Sequence, residues 1–205
     1  MSTRGRPSPP PWDRWRSIIR RISLVSDDMD VARISEEDGS ALYALLSMRA
    51  IQKGGEINVI DAGAGVGYST LWLTMPLEDL CIKSTIIAIE LDDERYNALA
   101  RNIEQMPRRC VDVKAVHGDA IRYISELPGD FKVDFALIDI DPKELYLQAY
   151  YAIKPKLAKG AIVAFHNANN PWLSDVLGAI MSDAGELGWR SVIIPTRPGL
   201  MVIFT

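Results

Sequence analysis

Cysteine is scarce in this chain. Of 205 residues only Cys81 and Cys110 carry a thiol, and no Cys-x-x-Cys spacing occurs. That scarcity excludes a disulfide framework and a cysteine-built zinc site, and the two residues are expected as reduced thiols. Also missing is any apolar run of about 20 residues, the length a membrane-spanning helix needs. The N-terminus lacks the apolar core of a secretory signal, so the expected location is the cytoplasm, with no membrane partner. Positive charge is short overall, with a formal net charge of −4. The first 21 residues carry Arg4, Arg6, Arg14, Arg16, Arg20 and Arg21 against Asp13, a local +5, which leaves −9 for the rest. An acidic body lacks the basic face that a phosphate backbone requires, and this argues against a nucleic-acid substrate.

What is present is enough apolar material, 48% of residues, for one substantial core. The chain is organised around Val59-Ile60-Asp61-Ala62-Gly63-Ala64-Gly65-Val66-Gly67-Tyr68-Ser69-Thr70, an apolar run ending in an acid, then three glycines at alternate positions, then a helix start. Strand, tight turn and helix in that order are how α/β folds hold a nucleotide. A dinucleotide fold wants G-x-G-x-x-G, and Tyr68 stands where its third glycine belongs. Glycines without Cβ let a ligand approach the backbone. Asp61 is placed to accept a hydrogen bond from a ligand's ammonium group.

Residues 1–11 hold Pro7, Pro9, Pro10 and Pro11 and are expected to form no regular structure. Trp12, Trp15, Ile18, Ile19 and Ile22 have helical spacing, which predicts an amphipathic helix before a single domain spanning 34–205. Ser35 ahead of Glu36, Glu37 and Asp38 starts the next helix, and Gly54-Gly55 stops it. Strands are expected over 57–61, 85–90, 111–116, 133–139 and 161–165, alternating with helices over 69–75 (ended by Pro76), 94–105, 120–127, 144–157 and 173–187. Two last strands, 190–194 and 200–204, are joined so tightly by Thr196-Arg197-Pro198-Gly199 that they must be antiparallel. Ligands of such sheets lie beyond the carboxyl ends of the strands, and Asp61, Glu90, Asp119, Asp139, His166 and Asn167 fall along that edge. His117, at the end of the third strand, is read as a histidine without chemistry.

The acid followed by G-x-G-x-G resembles the first motif of class I S-adenosylmethionine-dependent methyltransferases. More narrowly, Ile34-Ser35-Glu36-Glu37-Asp38-Gly39, Gly67-Tyr68-Ser69-Thr70-Leu71-Trp72-Leu73, Leu137-Ile138-Asp139-Ile140-Asp141 and Lys143-Glu144-Leu145-Tyr146 resemble the catechol and caffeoyl-CoA type of O-methyltransferase. The resemblance implies a Rossmann-like class I methyltransferase fold. Its sheet is mostly parallel, seven-stranded and ordered 3-2-1-4-5-7-6, with helices on both faces and an antiparallel C-terminal hairpin. It further implies S-adenosylmethionine held by Asp61, Gly63, Gly65, Gly67, Tyr68, Ser69, Glu90, Leu91, Gly118, Asp119, Ala120 and Asp139. In that family a divalent cation binds both oxygens of a vicinal diol. Carried over, its ligands are Asp139, His166 and Asn167, with Lys143 as base. The family's aspartate is His166 here, which favours a softer ion such as manganese, iron or zinc over magnesium. His166 as base in a metal-free transfer stays open.

The expected activity is O-methylation of a small, hydroxylated, catechol-like acceptor. Methylation of RNA or protein, with the arginine-rich head as anchor, is a competing reading, although the Asn/Asp-Pro-Pro-aromatic signature of adenine methylation is absent. So is a non-catalytic S-adenosylmethionine-binding protein. A homodimer is expected by analogy alone.

Overall fold

A computed structural model describes residues 14–205. The proline-rich segment 1–11 and Trp12 lie outside the described residues. The elements run α1 (Arg16–Asp28), α2 (Glu36–Lys53), β1 (Ile57–Ala62), α3 (Tyr68–Asp79), β2 (Ser84–Glu90), α4 (Asp93–Glu104) and β3 (Val111–His117). They continue with α5 (Ala120–Glu126), β4 (Val133–Ile138), α6 (Tyr146–Ile153), β5 (Leu157–His166), α7 (Ser174–Glu186), β6 (Arg190–Ile194) and β7 (Leu200–Phe204). The seven strands form one sheet in the order β3-β2-β1-β4-β5-β7-β6, as the sequence predicts. β1 to β5 are parallel, and β7 enters antiparallel between β5 and β6.

Both faces of the sheet are covered, which is why its strands read as unbroken apolar runs. Successive side chains go to opposite sides. On one face Val59, Ile86, Ala88, Phe135 and Leu137 pack with Ile22 of α1, Leu42 and Leu46 of α2, Trp72 of α3 and Leu99 of α4. On the other, Ile60, Ile87, Ile89, Ala136 and Ile138 pack with Ile124 of α5, Tyr150 of α6 and Ile180 of α7. The amphipathic N-terminal helix therefore buries its Trp15, Ile19 and Ile22 in this domain's own core.

Three local expectations need correction. Pro76 does not end its helix, because α3 runs on to Asp79. Every residue from Tyr68 to Glu78 is buried, and packing on all sides outweighs the one backbone hydrogen bond that proline removes. The helix expected over 144–157 is instead a 3-10 turn at Lys143–Leu145, α6, and a second turn at Lys154–Lys156 around Pro155. β5 starts at Leu157, and the register of its pairing with β4 shifts around Gly160. Gly160 has φ +73°, and a Cβ there would stand 2.9 Å from the Arg49 guanidinium. Arg49 and Lys53 both reach the buried Asp134 at 2.7 Å, closing the end of the sheet opposite the glycine turn.

The third correction concerns the cysteines. Cys81 follows α3 and Cys110 precedes β3, and the two form a disulfide across 29 residues with Cα atoms 5.2 Å apart. Sequence spacing carries no sign of this. The pairing arises because Glu78, at the end of α3, accepts the backbone N–H groups of Arg109, Cys110 and Val111 at 2.8–2.9 Å and so draws the two segments together.

Candidate active site

The glycine turn links β1 to α3. Gly63, Gly65 and Gly67 all take left-handed conformations, with φ of +85°, +55° and +94°. At Gly63 the requirement is doubly strict, since a Cβ would stand 2.3 Å from the Asp139 carbonyl oxygen at the end of β4. Gly67 opens α3, and a Cβ there would press on Leu99 of α4 at 3.0 Å. Beneath the turn Asp61 is fully buried, and its Oδ2 accepts hydrogen bonds from the Ser69 and Thr70 hydroxyls at 2.9 and 2.7 Å. Its Oδ1 has no partner. Burial pushes the Asp61 carboxyl up to about 6 against those two hydroxyl bonds, with Asp139 and Glu90 adding repulsion. A buried carboxylate oxygen left unpaired costs free energy unless a donor arrives.

At the end of β2, Glu90 accepts the backbone N–H of Gly65 on one oxygen and those of Leu91 and Asp92 on the other, at 2.8–3.0 Å. A carboxylate offers about four acceptor positions, so one remains on the oxygen facing Gly65. Asp119 caps α5 through the Arg122 N–H at 2.7 Å. Glu90, Leu91, Gly118, Asp119 and Ala120 all border one open cleft of about 990 Å³, together with Gly63, Gly65, Asp139, Lys143, His166 and Asn167. That volume suits a nucleoside-sized ligand. Tyr68 and Ser69 border a small adjoining pocket instead, while Asp61 and Gly67 lie behind the wall. His117 stays outside, stacked on Tyr96 at 4.9 Å with its Nε2 3.0 Å from the Leu91 carbonyl.

Asp139 and His166 do meet, and they meet a residue that sequence reasoning left in a capping role. Asp38 in the first turn of α2 completes a capping box with Ser35. It is fully buried, and its Oδ2 also lies 3.3 Å from His166 Nε2 while its Oδ1 accepts the Thr196 hydroxyl at 2.5 Å. On the opposite side His166 Nδ1 lies 3.0 Å from Asp139 Oδ2, an ion-pair contact rather than an aligned hydrogen bond. Lys143 Nζ sits 2.5 Å from Asp139 Oδ1 and 3.5 Å from Asp141. Burial alone would lower the His166 pKa, but Asp139 and Asp38 together raise it to about 9. Burial would likewise raise Asp139, and His166 with Lys143 holds it below the ordinary carboxylate range. His166 is therefore an imidazolium between two carboxylates at neutral pH. The Ser35-x-x-Asp38 spacing could have flagged the cap, but not the contact with a histidine 128 residues away.

A divalent cation requires lone pairs directed at one point. Here one Asp139 oxygen faces Lys143 Nζ and the other His166 Nδ1, while His166 Nε2 faces Asp38, so these donor atoms turn to partners within the protein rather than to one shared point. Asn167 borders the cleft in a left-handed conformation, φ +60°. Among the described residues no group of three or more His, Cys, Asp or Glu is placed to hold a metal ion. As arranged, Asp139, His166 and Asn167 do not fit one. The orphaned Asp61 oxygen under the glycine turn does fit the ammonium of an amino-acid-bearing nucleoside.

This sheet order, with its cleft at the carboxyl ends of the strands, is the class I methyltransferase fold. The family described as a methyltransferase domain matches residues 60–168, and the chain belongs to that family. No curated protein matches the sequence. Similar solved structures include a methyltransferase from Geobacter sulfurreducens, 17% identical with a TM-score of 0.67, covering 92% of this chain and 87% of that one. An O-methyltransferase from Bacillus cereus in complex with S-adenosylhomocysteine is 16% identical with a TM-score of 0.67, covering 92% and 91%. The O-methyltransferase TomG from Streptomyces achromogenes, solved with S-adenosylmethionine, is 16% identical with a TM-score of 0.70, covering 92% and 89%. Among the described residues no helix is long and apolar enough to cross a membrane.

Proposed function

We propose that this protein transfers the methyl group of S-adenosylmethionine to a hydroxyl of a small, catechol-like acceptor, without a divalent cation. The observation that carries the donor is Asp61, buried beneath three left-handed glycines with one carboxylate oxygen unpaired. The donor's ammonium, lodged at the glycine turn, reaches that oxygen through a bridging water, since Asp61 itself lies behind the wall, and its adenosine lies along Glu90, Leu91, Gly118, Asp119 and Ala120. The O-methyltransferases among the similar folds support the class of acceptor atom.

Methyl transfer asks the protein for in-line placement and for removal of one proton. The acceptor oxygen attacks the sulfonium methyl, the C–S electron pair returns to sulfur, and S-adenosylhomocysteine leaves. Lys143 Nζ, on the cleft wall beside Asp139, first gives up its proton to solvent; the free amine then takes the hydroxyl proton, and the ammonium so restored is held by Asp139. His166 does not act as base, because both ring nitrogens face carboxylates and only 5% of the residue is exposed. It keeps Asp139 ionised and in place.

The test is methyl transfer from S-adenosylmethionine to a panel of catechols and phenols in the presence of EDTA. Wild type should turn over with chelator present, and Lys143→Ala should lose about 100-fold or more in kcat with little change in S-adenosylhomocysteine affinity. Transfer to no acceptor, with the nucleoside still bound, would favour a non-catalytic binding protein.

A further inference from the structure

The connection between α1 and α2 crosses the glycine turn: a Cβ on Gly65 would meet the Val31 side chain at 3.4 Å. Between them lies the small pocket bordered by Ser69, Tyr68 and the turn itself, and Arg33 borders both this pocket and the main cleft. Its guanidinium stands over the Tyr68 ring, 5.5 Å from the centroid. Asp27 is its ion-pair partner, on a side chain more than half exposed. An exposed pair of that kind contributes little and is readily exchanged.

The charges nearby make Arg33 distinctive. Asp61, Glu90 and Asp139 surround the turn with negative charge. Of the other cations on the cleft wall, Lys143 is engaged by Asp139 and Asp141, and His166 by Asp139 and Asp38. Arg95 sits beyond Glu90 in the first turn of α4, on the side of Leu91 and Asp92. An amino-acid tail entering the turn brings an ammonium, which Asp61 can take, and a carboxylate, which nothing acidic there will accept. A guanidinium matches a carboxylate bidentately.

We propose that Arg33 binds the α-carboxylate of the methyl donor's amino-acid portion, exchanging Asp27 for it, so that Arg33 and Asp61 together select the zwitterionic tail. This rests on the S-adenosylmethionine reading above. Two ligands separate the two ideas: S-adenosylhomocysteine, and 5′-methylthioadenosine, which keeps the nucleoside and thioether but lacks the tail. Calorimetric titration of the full chain should show wild type preferring S-adenosylhomocysteine. Arg33→Gln should weaken that ligand about tenfold or more and leave 5′-methylthioadenosine within about twofold, and Arg33→Lys should recover part of the loss. Equal weakening of both ligands, an unchanged S-adenosylhomocysteine affinity, or a wild type without preference for the tail would overturn the assignment. Failure of wild type to bind either nucleoside would overturn the donor reading along with it.

Discussion

Raising the pH through the titration of His166 should strip this protein of a defined share of its stability. The folded-state pKa of His166 is raised to about 9 from an ordinary 6.5, because Asp139 and Asp38 outweigh the burial that would lower it. A raised histidine pKa contributes stability that is fully present below the unfolded value. It is lost as pH climbs through the folded one. The difference corresponds to about 3 kcal/mol, undiscounted for solvent because the side chain is nearly fully buried. The Asp38 pKa, lowered to about 2 by His166, Thr196 and Ser35 against its burial, describes the same contact from the other end and adds no second contribution in this window. Urea denaturation at intervals from pH 6 to 9.5 should therefore show wild-type stability falling by about 2–3 kcal/mol above pH 6.5, and His166→Gln should show a much flatter profile. A flat wild-type profile, or the same slope in His166→Gln, would refute the imidazolium between two carboxylates.

Other consequences can be measured alongside. Asp61→Asn should raise the melting temperature of the ligand-free protein at pH 7, since a carboxyl pushed up to about 6 costs stability when ionised. The same variant should bind S-adenosylhomocysteine about tenfold or more weakly, which calorimetry reads directly. Gly63→Ala forces a Cβ to 2.3 Å from the Asp139 carbonyl oxygen at a left-handed φ, and should cost about 2 kcal/mol or more in urea denaturation. Asp134→Ala leaves the Arg49 guanidinium buried without its carboxylate, and should cost about 3–5 kcal/mol. Reduction, or Cys81→Ser, should cost about 3–4 kcal/mol by the loop-closure relation for 29 residues, seen as a lowered melting temperature with dithiothreitol.

The sheet was legible because β-branched apolar runs alternate with helical patterns, and because a five-residue link allows only an antiparallel closing pair. The glycine turn was legible because its spacing states a backbone demand. What sequence does not state is which distant groups a fold presses together. Asp38 reads as a first-turn acid, and only the packing of α2 over the end of β5 brings it to His166. The cysteines, 29 residues apart, look independent until Glu78 gathers the chain before β3. Pro76 reads as a stop because local propensity cannot register a helix buried on all sides. The metal expectation took Asp139 and His166 as donors by position. Their neighbours turn them into halves of ion pairs.

The central claim is tested most directly by calorimetric titration of S-adenosylhomocysteine into chelator-treated protein, followed by magnesium, manganese and zinc. Binding to the metal-free protein once the chelator has been removed, with no further heat or change in affinity on adding any of the three ions, is the predicted result. Absence of nucleoside binding, or binding that appears only once a metal is supplied, would contradict the account.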